Sequence, residues 1–212
     1  DIFMTKTWLE LGVPKNIISG LVSRGIEAPF PVQEATLPDA LAGNDICGKA
    51  PTGSGKTLAF GIAIAAKVTK SRPGRPTGLV LVPTRELAAQ VAKEISLLCG
   101  GSDIRVSAVY GGAGYGPQVK AARASSIVVA TPGRLEDLIK RRDLDLGAVA
   151  VAVIDEADRM ADMGFMPAVK RIMRSVTTNR QTLLFSATLD GDIDLLIREF
   201  QNSPKRHAVA SA

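Results

Sequence analysis

The stretch APTGSGKT, Ala50–Thr57, decides the fold of this chain. It follows a short apolar run around Ile46 and precedes an Ala-rich apolar segment, Leu58–Val68. A strand, a glycine loop and a helix in this order form a phosphate cradle, because glycines turn backbone N–H groups inward and the positive end of the helix faces the same point. Lys56 adds a charge for the outer phosphates, and the Thr57 hydroxyl suits Mg²⁺. The alternative is a chance glycine-rich turn, and the general pattern opens with Gly where this chain has Ala50.

Composition sets the class of protein. The 212 residues are 46% hydrophobic and 4% aromatic, which predicts one α/β domain with an aliphatic core. The net charge of +5 favours an anionic partner but is also ordinary for a soluble surface. Cys47 and Cys99 form no CxxC pair, so we expect buried free thiols and a reducing, cytoplasmic location. No membrane span or signal peptide is expected, and the single histidine, His207, argues against His-based catalysis.

Strand-like and helix-like segments alternate at least five times along the chain. Short apolar runs such as Leu79–Val82 and Ile127–Ala130 are typical of strands that are buried on both faces. Trp8–Ser23 carries apolar residues at helical spacing, and Val149–Ile154 reads as another buried strand. This alternation predicts an α/β fold, a mostly parallel central sheet covered by helices on both faces. The polar motifs follow strands directly and should therefore share one edge of the sheet.

Two acids follow the apolar run Val149–Ile154. Asp155 is placed to hold Mg²⁺ beside the phosphate cradle, and Glu156 to deprotonate an attacking water. The alternative is that these acids only cap the next helix, as Asp158 also can. Ser186 and Thr188 end a further strand, and either hydroxyl can bond to Asp158 or to a phosphate.

Arginine begins two of the predicted helices. Arg85 and Arg134 each stand at a helix start, which is a favourable place for anions. Together with the Gly111-Gly112 turn they can hold backbone phosphates without reading bases. Thr131 is a plausible cap for the second of these helices. The alternative is that each arginine pairs with a surface acid such as Glu86 or Asp137.

The motifs in combination are more specific than any one of them. GIEAPFPVQ, APTGSGKT, PTRELA, GG, TPGR, DEAD and SAT occur in this order between Gly25 and Thr188. The chain resembles the N-terminal RecA-like domain of DEAD-box ATP-dependent RNA helicases from about Trp8 to Val209. The resemblance implies a RecA-like three-layer sandwich over residues 1–212, with a tail at 1–7 and an adenine-recognition segment at 8–33.

The resemblance also implies roles for individual residues. Gln33 would read the adenine edge, with Ile26 beside it and Trp8 as a buttress for the segment. The residues implied for ATP and Mg²⁺ are Pro51, Thr52, Gly53, Ser54, Gly55, Lys56, Thr57 and Asp158, with Thr57 and Asp155 on the metal. The catalytic set is Lys56, Asp155, Glu156, Ser186 and Thr188, the last two coupling hydrolysis to strand separation. The RNA backbone would be held by Pro83, Thr84, Arg85, Gly112, Thr131, Gly133 and Arg134.

Two residues depart from the pattern of the family. Ile26 stands where an aromatic residue often packs on adenine, and Phe30 stands where a small Thr is common. An aliphatic side chain still packs on a purine, with less stacking energy. The sequence leaves open whether Phe30 compensates for Ile26 or packs inward.

Nothing after Thr188 resembles the second RecA-like domain that supplies an arginine finger and the other half of the RNA site in the family. We therefore expect one half of a helicase, which binds nucleotide weakly and hydrolyses it poorly alone. The favoured function is RNA-stimulated ATP hydrolysis coupled to local unwinding of RNA duplexes. An ATP-gated RNA clamp or assembly platform is the alternative, and a DNA helicase or another P-loop ATPase is a third reading.

Overall fold

The computed structural model describes residues 6–209, so the predicted tail at 1–7 lies mostly outside the described residues. The strands are β1 (Ile46–Lys49), β2 (Gly78–Leu81), β3 (Val106–Val109), β4 (Ile127–Ala130), β5 (Val151–Ile154), β6 (Gln181–Ser186) and β7 (Lys205–Ala208). The helices are α1 (Lys15–Ser23), α2 (Pro31–Leu41), α3 (Lys56–Lys67), α4 (Arg85–Leu98), α5 (Tyr115–Arg123), α6 (Pro132–Lys140), α7 (Ala157–Asp162), α8 (Met166–Ser175) and α9 (Asp192–Phe200).

The seven strands form one sheet in the order β3-β4-β2-β5-β6-β1-β7, and every pair is parallel. Parallel strands need crossover connections, and the helices between them supply these. The predicted α/β architecture is therefore confirmed, with a sheet that is wholly parallel rather than mostly so.

Two apolar layers hold the helices against the sheet. Helices α1 to α4 pack on one face, around Leu21, Phe60 and Ile95. Helices α5 to α9 pack on the other, around Leu135 and Met160. Within β2, alternate residues go to opposite layers, as the period of two in a strand requires. Cys47 and Cys99 are buried free thiols, as predicted. Within residues 6–209, no helix has the length and apolar character needed to cross a bilayer.

Two predicted elements differ from the structure, and one strand was not predicted. Trp8–Ser23 is not one helix: Trp8–Gly12 forms turns, and α1 begins at Lys15, directly after Pro14. Gly12 has φ of +94°, a left-handed conformation that ends the turn. The strand predicted from Val149 begins at Val151, because a 3₁₀ turn covers Leu146–Ala148. The polar segment Lys205–Ala208 forms a strand that the sequence analysis missed.

The order of the strands places the motifs in two groups at the carboxyl ends of the strands. The glycine loop and Asp155 follow β1 and β5, and Ser186 is the last residue of β6; these three strands are neighbours in the sheet. The Thr84, Gly112 and Thr131 motifs follow β2, β3 and β4, which are also neighbours. The fold thus places the predicted nucleotide and RNA sites side by side.

Candidate nucleotide site and nucleic-acid interface

The glycine loop has the backbone conformation that a phosphate cradle needs. Gly53 and Gly55 have φ of +83° and +87°, and α3 begins at Lys56. A Cβ on Gly55 would lie 2.8 Å from Cδ2 of Phe30 and 2.9 Å from Nε2 of Gln33, so only glycine fits. The loop is therefore packed directly against the predicted adenine-recognition segment.

Lys56 and Asp155 form a buried ion pair across the sheet edge. The Lys56 ammonium contacts Oδ1 of Asp155, and Oε2 of Glu156 lies 3.9 Å from the same nitrogen. Burial raises the pKa of the fully buried Asp155 carboxyl, and the charge of Lys56 opposes this rise. Both functional charges are therefore held in a site with little water.

Two polar atoms in this site have no protein partner. Among residues 6–209, Oδ2 of Asp155 and Oγ of Ser54 are buried without a hydrogen bond. A buried carboxylate oxygen without a partner is costly unless a cation or water completes it. The described residues contain no group of three or more His, Cys, Asp or Glu around a common point. Mg²⁺ is usually held by one or two protein ligands together with substrate phosphates. Asp155 and Thr57 therefore fit the predicted metal.

Glu156 adopts a strained backbone conformation at the start of α7. Its φ of +51° and ψ of +50° are left-handed, which is uncommon for a residue with a side chain. Such strain costs about 1–3 kcal/mol and tends to be retained at functional sites. The Glu156 side chain lines a cleft beside the glycine loop, and Oε1 lies 3.6 Å from Nη1 of Arg159. The turn therefore presents the predicted base to the cleft. Glu156 is the N-cap residue of α7, but its side chain makes no capping bond.

Gln33 joins the adenine-recognition segment to the glycine loop. Its Oε1 accepts from the Phe30 N–H at 2.7 Å, and its Nε2 donates to the Gly55 carbonyl at 3.0 Å. An amide has a second lone pair and a second hydrogen, which remain for the edge of a base. Trp8 is 2% exposed and donates from Nε1 to the Ile26 carbonyl at 3.2 Å, in the buttressing position expected of it.

A cleft of about 440 Å³ runs from this segment to Glu156. A volume of this size suits a nucleotide-sized ligand. Phe30 is 51% exposed at the mouth of the cleft, so it does not pack inward. Of the predicted residues, the lining includes Ile26, Gln33, Thr52, Gly53, Gly55, Lys56, Thr57 and Glu156.

Ser186 and Asp158 bind each other across the ends of β6 and α7. Ser186 Oγ donates to Oδ1 of Asp158 at 3.0 Å and accepts from the Asp158 N–H at 3.2 Å. The predicted bond between these residues is therefore present. Pro51, Ser54 and Asp158 do not line the cleft, and the Asp158 carboxylate is directed at β6, so the geometry favours a positioning role for it. Thr188 is exposed beside this pair.

The PTR and GG motifs touch each other at the other half of the sheet edge. Thr84 caps α4, with its hydroxyl accepting from the Leu87 N–H at 3.2 Å. The Arg85 guanidinium lies 5.0 Å from the centre of the Tyr110 ring. A Cβ on Gly112 would lie 3.2 Å from Nη1 of Arg85. Pro83 is buried and Arg85 is exposed, so the arginine of this motif is available to a phosphate.

The Arg134 side chain is buried and is held by contacts within the protein. It is 8% exposed, donates to Oε1 of Gln118 at 3.0 Å and to the Ala113 carbonyl at 2.8 Å, and stacks 4.0 Å from the Tyr115 ring centre. No ion pair within residues 6–209 involves Arg85 or Arg134, so the pairing with Glu86 or Asp137 considered above is wrong.

The TPGR helix starts without the predicted cap. Thr131 stands at the N-cap position of α6 but its side chain makes no capping bond, whereas Pro132 occupies the first turn as expected. A Cβ on Gly133 would meet no heavy atom within 4 Å, so this turn is open to an approaching backbone.

The profile of the DEAD/DEAH box helicase family matches residues 30–196. The chain belongs to this family. It is 41% identical over 203 residues to ATP-dependent RNA helicase CshA of Listeria monocytogenes, covering 95% of this chain and 39% of that protein. It is 40% identical over 211 residues to DEAD-box ATP-dependent RNA helicase 30 of Arabidopsis thaliana, covering 97% of this chain and 36% of the relative.

A solved structure agrees in fold. The crystal structure of a DEAD box protein from the hyperthermophile Methanococcus jannaschii matches with a TM-score of 0.91 at 35% identity, covering 97% of this chain and 56% of that one. The RecA-like fold predicted from the motifs is therefore confirmed. The chain spans well under half the length of the two helicases compared above.

Sequence reasoning missed part of the cleft in this DEAD/DEAH box domain. Leu87, Gln90 and Glu94 line it from one face of α4. Their spacing of three and four residues places them on the same side of a helix, so the periodicity after the PTR motif could have identified them. Burial raises the pKa of Glu94, and the nearby charge of Arg24 opposes the rise. Ala28 and Leu58 complete the wall and carry no polar signal.

Proposed function

We propose that this chain is the nucleotide-binding half of an ATP-dependent RNA helicase, with ATP and Mg²⁺ bound between the glycine loop and Asp155. The observation that carries the proposal is the buried pair of Lys56 and Asp155 with Oδ2 of Asp155 left without a partner. The pair joins the glycine loop to the DEAD motif in a cleft that Gln33 closes at its other end. The names of the relatives, which are ATP-dependent RNA helicases, support it.

Each charged residue then has a distinct task. Lys56 leaves Asp155 for the outer phosphates, which offer it a larger negative charge. Asp155 and Thr57 would hold Mg²⁺, which would neutralise charge on the phosphate oxygens. Glu156 takes the proton of the attacking water, whose oxygen bonds to the terminal phosphorus as the bond to ADP breaks. Ser186, held by Asp158, and Thr188 couple this cleft to bound RNA.

RNA is the proposed polymer, held through its backbone by the PTR, GG and TPGR motifs. These motifs follow the three neighbouring strands β2, β4 and β3 and present helix starts and glycine turns. Such groups bind phosphates without reading bases. A second RecA-like domain of the same protein would supply the arginine finger. We also propose a cytoplasmic location, supported by the two buried free thiols Cys47 and Cys99.

Hydrolysis with and without a second domain tests the proposal. We expect residues 1–212 to bind ADP but to hydrolyse ATP slowly, and a chain that includes the second domain to be faster by about three orders of magnitude or more with RNA. Glu156→Gln should abolish hydrolysis and leave ADP affinity within about twofold, because the amide cannot take the proton. Rapid RNA-stimulated hydrolysis by residues 1–212 alone would contradict the division of labour.

The alternative, an ATP-gated RNA clamp, would use the same site but would hold RNA instead of separating its strands. Strand separation of a short RNA duplex, measured beside the lifetime of the RNA-bound state, separates the two functions. Unwinding faster than release of RNA favours the helicase. A long-lived bound state without unwinding favours the clamp. A preference for DNA over RNA would favour a DNA helicase.

A further inference from the structure

A second cleft lies on the opposite edge of the sheet from the nucleotide site. Its volume is about 460 Å³, and its lining includes Lys70, Arg105, Arg123 and Ser126. Arg105 directly precedes β3, and Ser126 directly precedes β4, so the cleft is at the amino ends of these strands. The helicase motifs are at the carboxyl ends of the same strands. The two sites are therefore separated by the length of the strands.

The SRPGRP loop is a fixed hairpin beside this cleft. Arg72 and Arg75 form an antiparallel bridge, and the Gly74 N–H donates to the Arg123 carbonyl at 2.9 Å. The Ser71 N–H donates to Oγ of Ser126 at 3.0 Å. Gly74 has φ of +74°, a left-handed conformation that favours glycine, and a Cβ there would lie 3.1 Å from the Asp143 carbonyl oxygen. The hairpin is held in place, and Arg72 is displayed at its exposed end.

Three exposed cations line the cleft, namely Lys70, Arg105 and Arg123. Arg72 is exposed between the lining residues at 71 and 73, and we refer to the four cations as the basic rim. No ion pair between described residues includes any of the four. Arg123 gives one N–H to the Asp143 carbonyl at 2.8 Å and keeps its other donors. The lining of the cleft contains one acid, Asp103, and three cations. Three of the rim residues are arginines, whose planar guanidinium suits phosphate oxygens.

Helix α5 connects the predicted RNA motifs to the basic rim. It begins at Tyr115, next to the Gly111-Gly112 turn, and ends at Arg123 on the rim. Its nine residues span about 13 Å at a rise of about 1.5 Å each. The helix contains no Asp or Glu, and Lys120 is exposed along it. A nucleic-acid strand leaving the turn therefore reaches the rim within roughly four nucleotides, at about 3.4 Å per nucleotide along a helical strand.

We propose that the basic rim binds the phosphate backbone of RNA that extends beyond the helicase motifs, along α5. The inference rests on the proposed function, because it takes RNA at the Gly112 turn as the anchor. An anchored strand has a high effective concentration at a neighbouring weak site. Because the rim is on the far edge of the sheet from the nucleotide cleft, its contribution does not depend on ATP.

RNA length and charge reversal test this proposal on residues 1–212. Fluorescence anisotropy would compare single-stranded RNAs of about 6 and about 14 nucleotides over about 50 to 200 mM KCl, with no nucleotide present. The variants are Lys70→Glu/Arg105→Glu and, as a charge-matched control on another surface, Lys15→Glu/Lys93→Glu. Thermal denaturation of each variant checks folding, because cations near helix ends also stabilise helices.

The unmodified chain should bind the longer RNA roughly tenfold more tightly than the shorter one, and the rim variant should lose this advantage. The rim variant should also lower the salt slope for the longer RNA by about 1.4, at about 0.7 per lost phosphate contact. The control should keep most of the length advantage. The proposed function is tested separately, by the affinity of the unmodified chain for the shorter RNA and for ADP.

A length advantage that survives in the rim variant would overturn the proposal while leaving the proposed function intact. Failure of the unmodified chain to bind either RNA would overturn both. A third binding measurement uses an acidic peptide, poly-Glu of matched length, in place of RNA. Tighter binding of that peptide than of RNA, lost in the rim variant, would assign the rim to a protein partner and refute the RNA proposal.

Discussion

Replacing Gln118 with methionine removes the acceptor that joins two of the predicted RNA motifs. Oε1 of Gln118 accepts from the Tyr110 N–H at 3.2 Å, at the end of β3, and from Nη1 of Arg134 at 3.0 Å, at the start of α6. Its Nε2 is buried without a partner within the described residues, so the change sacrifices no other bond. Methionine is close in length and volume, so little cavity is created.

The magnitude follows from the two bonds. A bond to a charged group contributes about 1.5–3 kcal/mol, and a neutral backbone bond about 0.5–1.5 kcal/mol. Arg134 keeps the Ala113 carbonyl and the Tyr115 ring, so it is not left without partners. We therefore expect Gln118→Met to lower the free energy of unfolding by about 2–4.5 kcal/mol, or the melting temperature by about 4–18 °C. Urea denaturation measures the first quantity.

A conservative variant separates the lost acceptor from a general disturbance. Gln118→Glu keeps both acceptor contacts and should lose less than about 1 kcal/mol. Lys120→Met, on the exposed side of α5, is the control and should change stability by less than about 0.5 kcal/mol. RNA affinity should fall with Gln118→Met and recover with Gln118→Glu, while ADP affinity stays constant. A loss below about 1 kcal/mol for Gln118→Met, or an equal loss for both variants, would refute the reasoning.

Two further predictions concern the nucleotide cleft. Gly55→Ala and Gly53→Ala impose a similar left-handed strain of about 1–3 kcal/mol, but only the first adds a contact with Phe30 and Gln33. Urea denaturation without nucleotide should show a larger loss for Gly55→Ala, and equal losses would show that the segment does not press on the loop. Glu94→Gln should stabilise the chain at about pH 7 but not at about pH 4. Burial raises the pKa of Glu94 above its ordinary 4.5, so folding stability falls as pH rises through the folded pKa, and the neutral amide removes that loss. A stability difference that is independent of pH would contradict this assignment.

The sequence predicted the elements whose signals are local and apolar. Ile127–Ala130 is a strand with the predicted bounds, because four apolar residues in a row suit a strand that is buried on both faces. The contact of Lys56 with Asp155, 99 residues apart, also follows from the rule that loops meet at the carboxyl edge of parallel strands.

Other features depend on partners that no local pattern reveals. The polar β7 is a strand because its backbone pairs with β1 along the sheet edge. Trp8 is buried outside α1, where its indole donates to the Ile26 carbonyl, a contact 18 residues away in the sequence. Arg134 was predicted to hold RNA itself, whereas its guanidinium is directed inward at Gln118 and Ala113. Side-chain direction at a helix start is set by tertiary contacts, and spacing in the sequence does not report it.

Titration of residues 1–212 with ADP and GDP in Mg²⁺, repeated on Gln33→Ala, tests the central claim most directly. Gln33 holds the glycine loop and keeps one hydrogen and one lone pair for a base. Gln90→Ala, in the same cleft, is the matched control. We predict that ADP binds at least about tenfold more tightly than GDP, that Gln33→Ala removes the preference and that Gln90→Ala retains it. Equal binding of ADP and GDP to the unmodified chain would leave a phosphate cradle but contradict adenine recognition by this site.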